Sequence, residues 1–267
     1  MFKPIIVLSM LLLLASLAFA EVNVLYPVEA TLQNGNTIQA GSVGPNQVFE
    51  LIFSDNSGHG FEWDTVTVNE ASLPAGWTIV SQNNTDTSLI VNIGVPKNAQ
   101  PNFYVIELSL SNSNNPAVKD SVSVSVVVKQ NLLDVSFIRP SIENVSVVGE
   151  SVFYKGVVSN SSIAPQKIVF SSDVPSNWFE SIVFEADPNS MEEIELELNP
   201  KSYGKHYFSF QVLDEESTII KSYSSELNVH PTLKGKFSSA FSGFPFFTFS
   251  LVPFQLLASF ISLILPN

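Results

Sequence analysis

Carboxylates are abundant in this sequence and are the side chains that could do acid–base or metal chemistry. Two of them held about 5 to 10 Å apart in a cleft would hydrolyse glycosides, and a loop of carboxylate oxygens would bind Ca²⁺. They gather at two places, with Asp55, Glu62 and Asp64 around one loop and Glu192, Glu193, Glu195 and Glu197 along one strand. The sequence has no Asp-x-Asp-x-Asp loop, so we interpret both groups as solvated.

The sequence lacks the residues and spacings that thiol catalysis, histidine-based metal sites and phosphate binding require. There is no cysteine, and His59, His206 and His230 lie too far apart for paired metal ligands. Gly-x-Ser-x-Gly, His-Glu-x-x-His and Gly-rich phosphate loops do not occur. The sequence therefore predicts a protein that is not an enzyme and has no cofactor, catalytic residue or metal site.

A Pro-x-x-Trp sequence occurs twice, ending at Trp77 and at Trp178. Proline ends strand pairing at a sheet edge, and an indole that follows can bury a large apolar area between two sheets. We therefore assign both tryptophans to the structural core. The alternative is that they are exposed and stack on sugar rings.

Three asparagines, Asn83, Asn144 and Asn160, each begin an Asn-x-Ser/Thr sequon. In an exported chain these are candidate glycosylation sites. A sequence this rich in Asn and Ser also contains sequons by chance.

The charge balance restricts the class of partner. The 267 residues carry 12 basic and 25 acidic side chains, a formal net charge of −13, and the one arginine is Arg139. Binding to phosphates requires clustered Lys and Arg, so a nucleic-acid partner is excluded.

The elements that position these residues are short β-strands. Phe49, Leu51 and Phe53 alternate with other side chains, and Val122, Val124 and Val126 alternate with serines, which is the period of a half-buried strand. Turn sequences such as Asn34-Gly35 recur about every ten residues, as in a β-sandwich. A closed barrel is the structural alternative.

The pattern is repeated. Three segments of the first half resemble three segments of the second half in sequence: 43–49 and 148–153, 73–77 and 174–178, and 95–105 and 199–208. Within the last pair, the triplet 103–105 aligns with 206–208. The order is the same and the starting points are 105, 101 and 104 residues apart. We therefore predict an all-β protein with two tandem immunoglobulin-like β-sandwich domains, residues 21–130 and 131–231.

Both ends of the chain indicate export and anchoring. Residues 1–20 have one lysine, an apolar run and a small-x-small ending at Ala20, as in a cleaved signal peptide; a retained N-terminal anchor is the alternative. Residues 232–267 form an apolar tail, and 244–265 are long enough for a transmembrane segment. Pro253 leaves open an interfacial hairpin, or a tail removed on attachment to another anchor.

At the repeated motifs the chain resembles the Ig-like accessory domain family first described beside alpha-galactosidase carbohydrate-binding modules, the NPCBM-associated family. Val43-Gly44-Pro45-Asn46, Leu73-Pro74-Ala75-Gly76-Trp77 and the stretch 95–104 carry the resemblance. It covers residues 43–128 closely and 148–229 more loosely. It implies modules of bacterial or archaeal surface and membrane-anchored proteins that act as spacers or adhesive units, with no catalytic residues.

We therefore expect a non-catalytic protein of the cell surface, anchored in the membrane through its tail, with its domains outside the cytoplasm. Other surface proteins or glycans are the expected partners. An accessory ectodomain of a membrane transporter or enzyme is the alternative, because Gln255, Ser259 and Ser262 are polar residues suited to helix contacts in the tail. A glycan-binding or hydrolase-associated module ranks below both.

Overall fold

The computed structural model describes residues 21–57, 62–138 and 145–232. These residues form β-strands, turns and connecting segments, without helix, so the protein is all-β. They divide into two compact units. The first unit runs to Asp134 and also takes in Ser159–Gln166 and Ala186–Met191, and it is therefore discontinuous in sequence.

The first unit contains two sheets. One sheet has the order β2-β1-β4-β7-β6, and the other has the order β3-β9-β8-β5. The strands are β1 Glu21–Tyr26, β2 Ala30–Gln33, β3 Thr37–Val43, β4 Val48–Ser54, β5 Thr65–Val68, β6 Thr78–Asn84, β7 Ser88–Gly94, β8 Phe103–Asn112 and β9 Asn115–Val128.

The second half of the chain also forms two sheets, of orders β10-β12-β15 and β11-β17-β16-β13-β14. The strands are β10 Leu133–Ile138, β11 Val145–Val147, β12 Val152–Asn160, β13 Gln166–Ser172, β14 Ile182–Ala186, β15 Met191–Leu198, β16 Gly204–Leu213 and β17 Ile219–His230.

Alternation along the strands builds the core of each unit. In β4, Phe49, Leu51 and Phe53 are fully buried, while Glu50 and Ile52 on the other face are partly exposed. In β15, Leu196 and Leu198 are equally buried. Each such side chain contributes on the order of 1.5–3 kcal/mol by leaving water, so two sheets with matched inner faces close over each other.

Both units begin in the same way, with a segment that changes sheet. β1 pairs with β4 in one sheet, and β3 then pairs in parallel with β9 in the other. In the second unit β10 lies beside β12, and β11 pairs in parallel with β17. This shared parallel pairing means that the repetition read from the sequence extends to strand topology.

The structure shifts part of the predicted alignment of the repeats by one residue. The predicted match of triplet 103–105 to 206–208 pairs Tyr104 with Tyr207. Instead, the ring of Tyr104 contacts Trp77 and the ring of His206 contacts Trp178, while Tyr207 is 72% exposed. Tyr104 therefore corresponds to His206, and the offset on this strand is 102 residues.

The predicted signal peptide, the tail 232–267 beyond Thr232 and the segment 244–265 lie outside the described residues. Within the described part of the chain, no helix is long and apolar enough to cross a membrane.

Candidate functional site

The two tryptophans of the Pro-x-x-Trp sequences lie inside their units. Trp77 is 6% exposed, with its ring 6.0 Å from that of Phe49 and 5.3 Å from that of Tyr104. Trp178 is also 6% exposed and lies 4.7 Å from the ring of His206. Buried rings that pack edge-on or tilted in this way stabilise the interior and offer no face to a sugar.

A turn carries each tryptophan into the core. The amide of Trp77 donates to the carbonyl of Pro74 at 3.0 Å, and the amide of Trp178 donates to the carbonyl of Pro175 at 2.8 Å. A hydrogen bond from residue i+3 to residue i closes a β-turn. The spacing of the motif is therefore the length of one turn.

The three sequon asparagines differ in accessibility. Asn83 is exposed on β6, where a glycan would meet solvent. Asn160 is 1% exposed, and its Nδ2 donates to the carbonyls of Ala164, Ala186 and Asp187 at 3.0, 3.1 and 2.9 Å. A glycan on that nitrogen is incompatible with this packing. Asn144 lies outside the described residues.

In the first group of carboxylates, that of Asp64 has a structural role. Asp64 precedes β5 and holds the turn between β8 and β9, because its Oδ1 and Oδ2 accept from the amide of Ser113 at 2.8 and 2.9 Å. The hydroxyl of Ser113 also donates to Asp64, as does that of Thr65 at 2.9 Å. These hydrogen bonds, chiefly those from Ser113, lower the pKa of Asp64.

The side chains of two asparagines join neighbouring segments to the backbone at residues 62 and 64. The side-chain amide of Asn84, at the end of β6, donates to the carbonyl of Asp64. Asn112 Nδ2 donates to the carbonyl of Glu62 at 2.6 Å, and its Oδ1 accepts from the amides of Asn114 and Asn115 at 2.9 and 3.0 Å. We call the set Asp64, Asn84, Asn112 and Ser113 the loop clamp.

The loop clamp organises one end of the first unit as a surface of fixed polar groups. Ser113 of the loop clamp is exposed, as are Asp86 and Asn114 beside it. A rigid sandwich that carries short loops with defined positions is suited to binding a partner by hydrogen bonds, as loops on scaffolds commonly do. The sequence predicts the Asp64 group and the Asn-rich turns, but not that the turns bond to the carboxylate of Asp64 and to the backbone carbonyls of Glu62 and Asp64.

The remaining residues considered for chemistry do not come together. Glu193, Glu195 and Glu197 project from β15 as an exposed row. His206 packs on Trp178, and His230 ends β17, whereas His59 lies outside the described residues. In residues 21–57, 62–138 and 145–232, no group of three or more His, Cys, Asp or Glu residues could hold a metal ion.

A second polar surface lies on the outer face of the β5-β8-β9 sheet. A depression of about 350 Å³ is lined by Thr67, Ser109, Ser121 and Lys119 together with Asn69 and Glu107. Asn69 Nδ2 donates to Glu107 Oε2 at 2.9 Å. Its lining is polar and open to solvent, which suits hydrated contacts more than an apolar ligand.

Comparison with known proteins places the chain near immunoglobulin-like and fibronectin-type structures without assigning a family. No family model matches, and no curated protein matches. A chimeric titin Z1Z2 carrying a decorin peptide is 14% identical, with 81% of this chain and 99% of that chain covered and a TM-score of 0.42. Fibronectin(III)-like modules of Clostridium thermocellum CbhA are 16% identical over 79% and 94%, with a TM-score of 0.30.

A CARDB domain from Pyrococcus furiosus is 17% identical, covers 37% of this chain and 87% of that chain, and has a TM-score of 0.28. All three TM-scores are too low to support an assignment beyond this general likeness. The all-β architecture of the chain rests on its own sheets.

Proposed function

We propose that this protein is a non-catalytic cell-surface protein of the NPCBM-associated type, anchored in the membrane by its tail. Two Ig-like sandwiches act as a spacer, and the loop end of the first unit acts as the adhesive surface. The observation that carries the proposal is the loop clamp, because it fixes the turn at Ser113 to the carboxylate of Asp64 and the end of β6 to the backbone carbonyl of the same residue. Loops held in this way bind with a smaller loss of conformational entropy.

The charge of the chain supports display at a surface. A net charge of −13 keeps copies apart in solution and opposes binding to nucleic acids and to anionic lipid surfaces. Exposed amide, hydroxyl and carboxylate groups at the loop end are suited to hydrogen bonding with a glycan or with polar groups of another envelope protein. These are the partner classes that we propose.

The experiment uses the full chain, with its leader, in an exporting host. Carbonate extraction tests anchoring, and attachment of the same cells to isolated envelope polysaccharides and envelope proteins tests adhesion. We expect the chain to stay with the membrane and to promote attachment. The double variant Asp86→Lys with Asn114→Lys alters the exposed loop end and should reduce attachment at least about tenfold, as for loss of a few polar contacts.

The matched control is Glu215→Lys with Thr218→Lys, which makes the same change of charge on an exposed turn between β16 and β17. Equal loss in both variants would indicate a general charge effect and contradict an adhesive loop end. Release of the chain by carbonate would contradict the anchor. Binding that requires the native tail sequence would instead favour the accessory subunit, for which the polar residues Gln255, Ser259 and Ser262 argue.

A further inference from the structure

A short segment from the second half of the chain completes the core of the first unit. Ile163 is 1% exposed and Ala164 is fully buried, and both belong to the same apolar cluster as Val43 and Phe49. The Ile163 amide donates to the carbonyl of Ser42 at 2.8 Å, and its carbonyl accepts from the hydroxyl of Tyr26 at 3.1 Å. Both backbone groups of Ile163 are therefore satisfied inside the first unit.

Gly41 provides the space that Ile163 occupies. A Cβ atom at position 41 would lie 2.6 Å from Ile163 Cγ2, well inside van der Waals contact. Gly41 also has a φ of +129° and lies at the irregularity in the pairing of β3 with β9. Glycine is the residue that adopts this backbone conformation without strain. Position 41 therefore needs glycine for two reasons, its positive φ and the close approach of Ile163.

Polar groups fix the same segment from the other side. Ser162 is fully buried, and its hydroxyl donates to Gln47 Oε1 at 2.6 Å, which also accepts from the amide of Gly44 at 2.7 Å. Asn160 Oδ1 accepts from the amide of Ser162 at 2.9 Å and from Gln166 Nε2 at 2.8 Å. Buried amides and hydroxyls are costly unless paired, and these are paired.

We infer that Tyr26, Gly41, Gly44 and Gln47 form a docking surface whose ligand is the segment Ser159–Gln166 of the same chain. The surface recognises a small hydroxyl residue followed by a β-branched apolar residue, here Ser162 and Ile163. Residues 21–134 are therefore an incomplete folding unit, and the stability of strand β3 depends on a residue more than a hundred positions away. This inference is independent of the adhesive function.

The experiment is hydrogen–deuterium exchange with mass spectrometry on the full chain. Ile163→Ala should speed amide exchange in Thr37–Val43 at least about tenfold, because removing a buried isoleucine leaves a cavity in the first unit. The matched control is Ile168→Ala, since Ile168 is also 1% exposed but lies in the second unit. It should speed exchange in β13 and β16 and leave Thr37–Val43 unchanged.

A double-mutant cycle separates docking from general damage. Gly41→Ala clashes with Ile163, so its effect on exchange in Thr37–Val43 should be smaller in the Ile163→Ala background than in the parent chain. If Ile163→Ala prevents folding, Ser162→Ala serves instead, because it removes only the hydroxyl that donates to Gln47. We expect it to speed amide exchange in Gly44–Gln47. Unchanged exchange in the first unit, or additive effects of Gly41→Ala and Ile163→Ala, would overturn the inference.

Discussion

The two units share the order of their central strands but fill their interiors with different side chains. In the first unit, the ring contacts of the described residues join Trp77 to Phe49 and Tyr104, and valine, leucine and isoleucine make up most of the core. In the second, the centre of the Phe210 ring lies within 6 Å of the ring centres of four other aromatic residues, Phe137, Tyr154, Phe179 and Phe208. The same arrangement of central strands therefore accepts either an aliphatic or an aromatic core.

Equivalent positions show how volume is redistributed. The buried positions Phe49, Leu51 and Phe53 of β4 correspond to Tyr154, Gly156 and Val158 of β12. A Cβ at Gly156 would lie 3.1 Å from Ile194 Cγ2 and 3.5 Å from Phe137 Cε1, so neighbouring side chains occupy the space that Leu51 fills in the first unit. Cores tolerate such exchanges when total volume is kept.

The units also differ in the strand that follows the tryptophan. β6 pairs with β7 in the first unit, whereas β14 lies beside β13 in the other sheet of the second unit. As a result β7 is an inner strand and β15 is an edge strand. The exposed Glu193, Glu195 and Glu197 on β15 fit this difference, because charges on an edge strand discourage pairing with another chain.

Substitution by alanine at the centre of each core should give the largest change in stability. It tests whether the aromatic core depends more on a single residue than the aliphatic core does. Phe210 and Leu108 occupy corresponding positions and are 1% and 0% exposed. We expect Phe210→Ala to lower the free energy of unfolding of the second unit by about 3–5 kcal/mol, and Leu108→Ala to lower that of the first by about 2–4 kcal/mol. Denaturant titration followed by hydrogen exchange in each unit measures both losses.

In that comparison each variant is the control for the other. Loss of protection in the wrong unit would contradict the assignment of the two residues to separate cores. An equal or larger loss for Leu108→Ala would show that the linked rings add little beyond burial of their area.

The sequence predicts some of these features better than others. The alternation of Phe49, Leu51 and Phe53 and the repeated Pro-x-x-Trp indicate strands, a repeat and buried indoles, because side-chain period and turn chemistry are local. The choice of sheet for β6 and β14 depends on which neighbour accepts their hydrogen bonds, and alternation is the same in either sheet. The burial of Asn160 depends on the carbonyls of Ala164, Ala186 and Asp187, which only the folded chain brings to its side-chain amide, so a sequon pattern cannot reveal it.

Raising the pH should distinguish the two cores by a smaller change in stability than alanine substitution. Tyr154 corresponds to Phe49, so the second core carries a titratable ring where the first has none. Burial raises the pKa of Tyr154. Because the folded state holds the neutral phenol, its contribution is complete below about pH 10, the unfolded pKa, and is lost as pH rises through the folded pKa.

Tyr154→Phe should therefore reduce the loss of stability of the second unit between pH 9 and pH 11, measured by urea unfolding at each pH. Tyr26→Phe is the control in the first unit. Burial, followed by the charges of Glu50 and Asp187, also raises the pKa of Tyr26, but its ring is only partly buried, so we expect a smaller change. An identical pH dependence in the parent and Tyr154→Phe chains would show that Tyr154 does not contribute to alkaline unfolding.

The smallest effect concerns loops rather than cores. Asp64 accepts the amide and hydroxyl of Ser113 in a turn of the first unit. Asp173 accepts the amide and hydroxyl of Ser209, at 2.7 and 3.0 Å, on strand β16 of the second unit. Hydrogen bonds lower the pKa of Asp64, so its contribution is present above the unfolded pKa of about 3.9 and is lost as pH falls through the folded pKa.

We therefore expect the Ser113 amide resonance to shift on acidification with a midpoint below about pH 3.9, and Asp64→Asn to abolish that shift while leaving the strands folded. Asp173→Asn should leave the Ser113 titration unchanged, since Asp173 belongs to the other unit. A Ser113 shift that persists in Asp64→Asn would mean that another group holds this turn. Because the carboxylate is exposed, its loss should alter the order of the loop more than the stability of the sandwich.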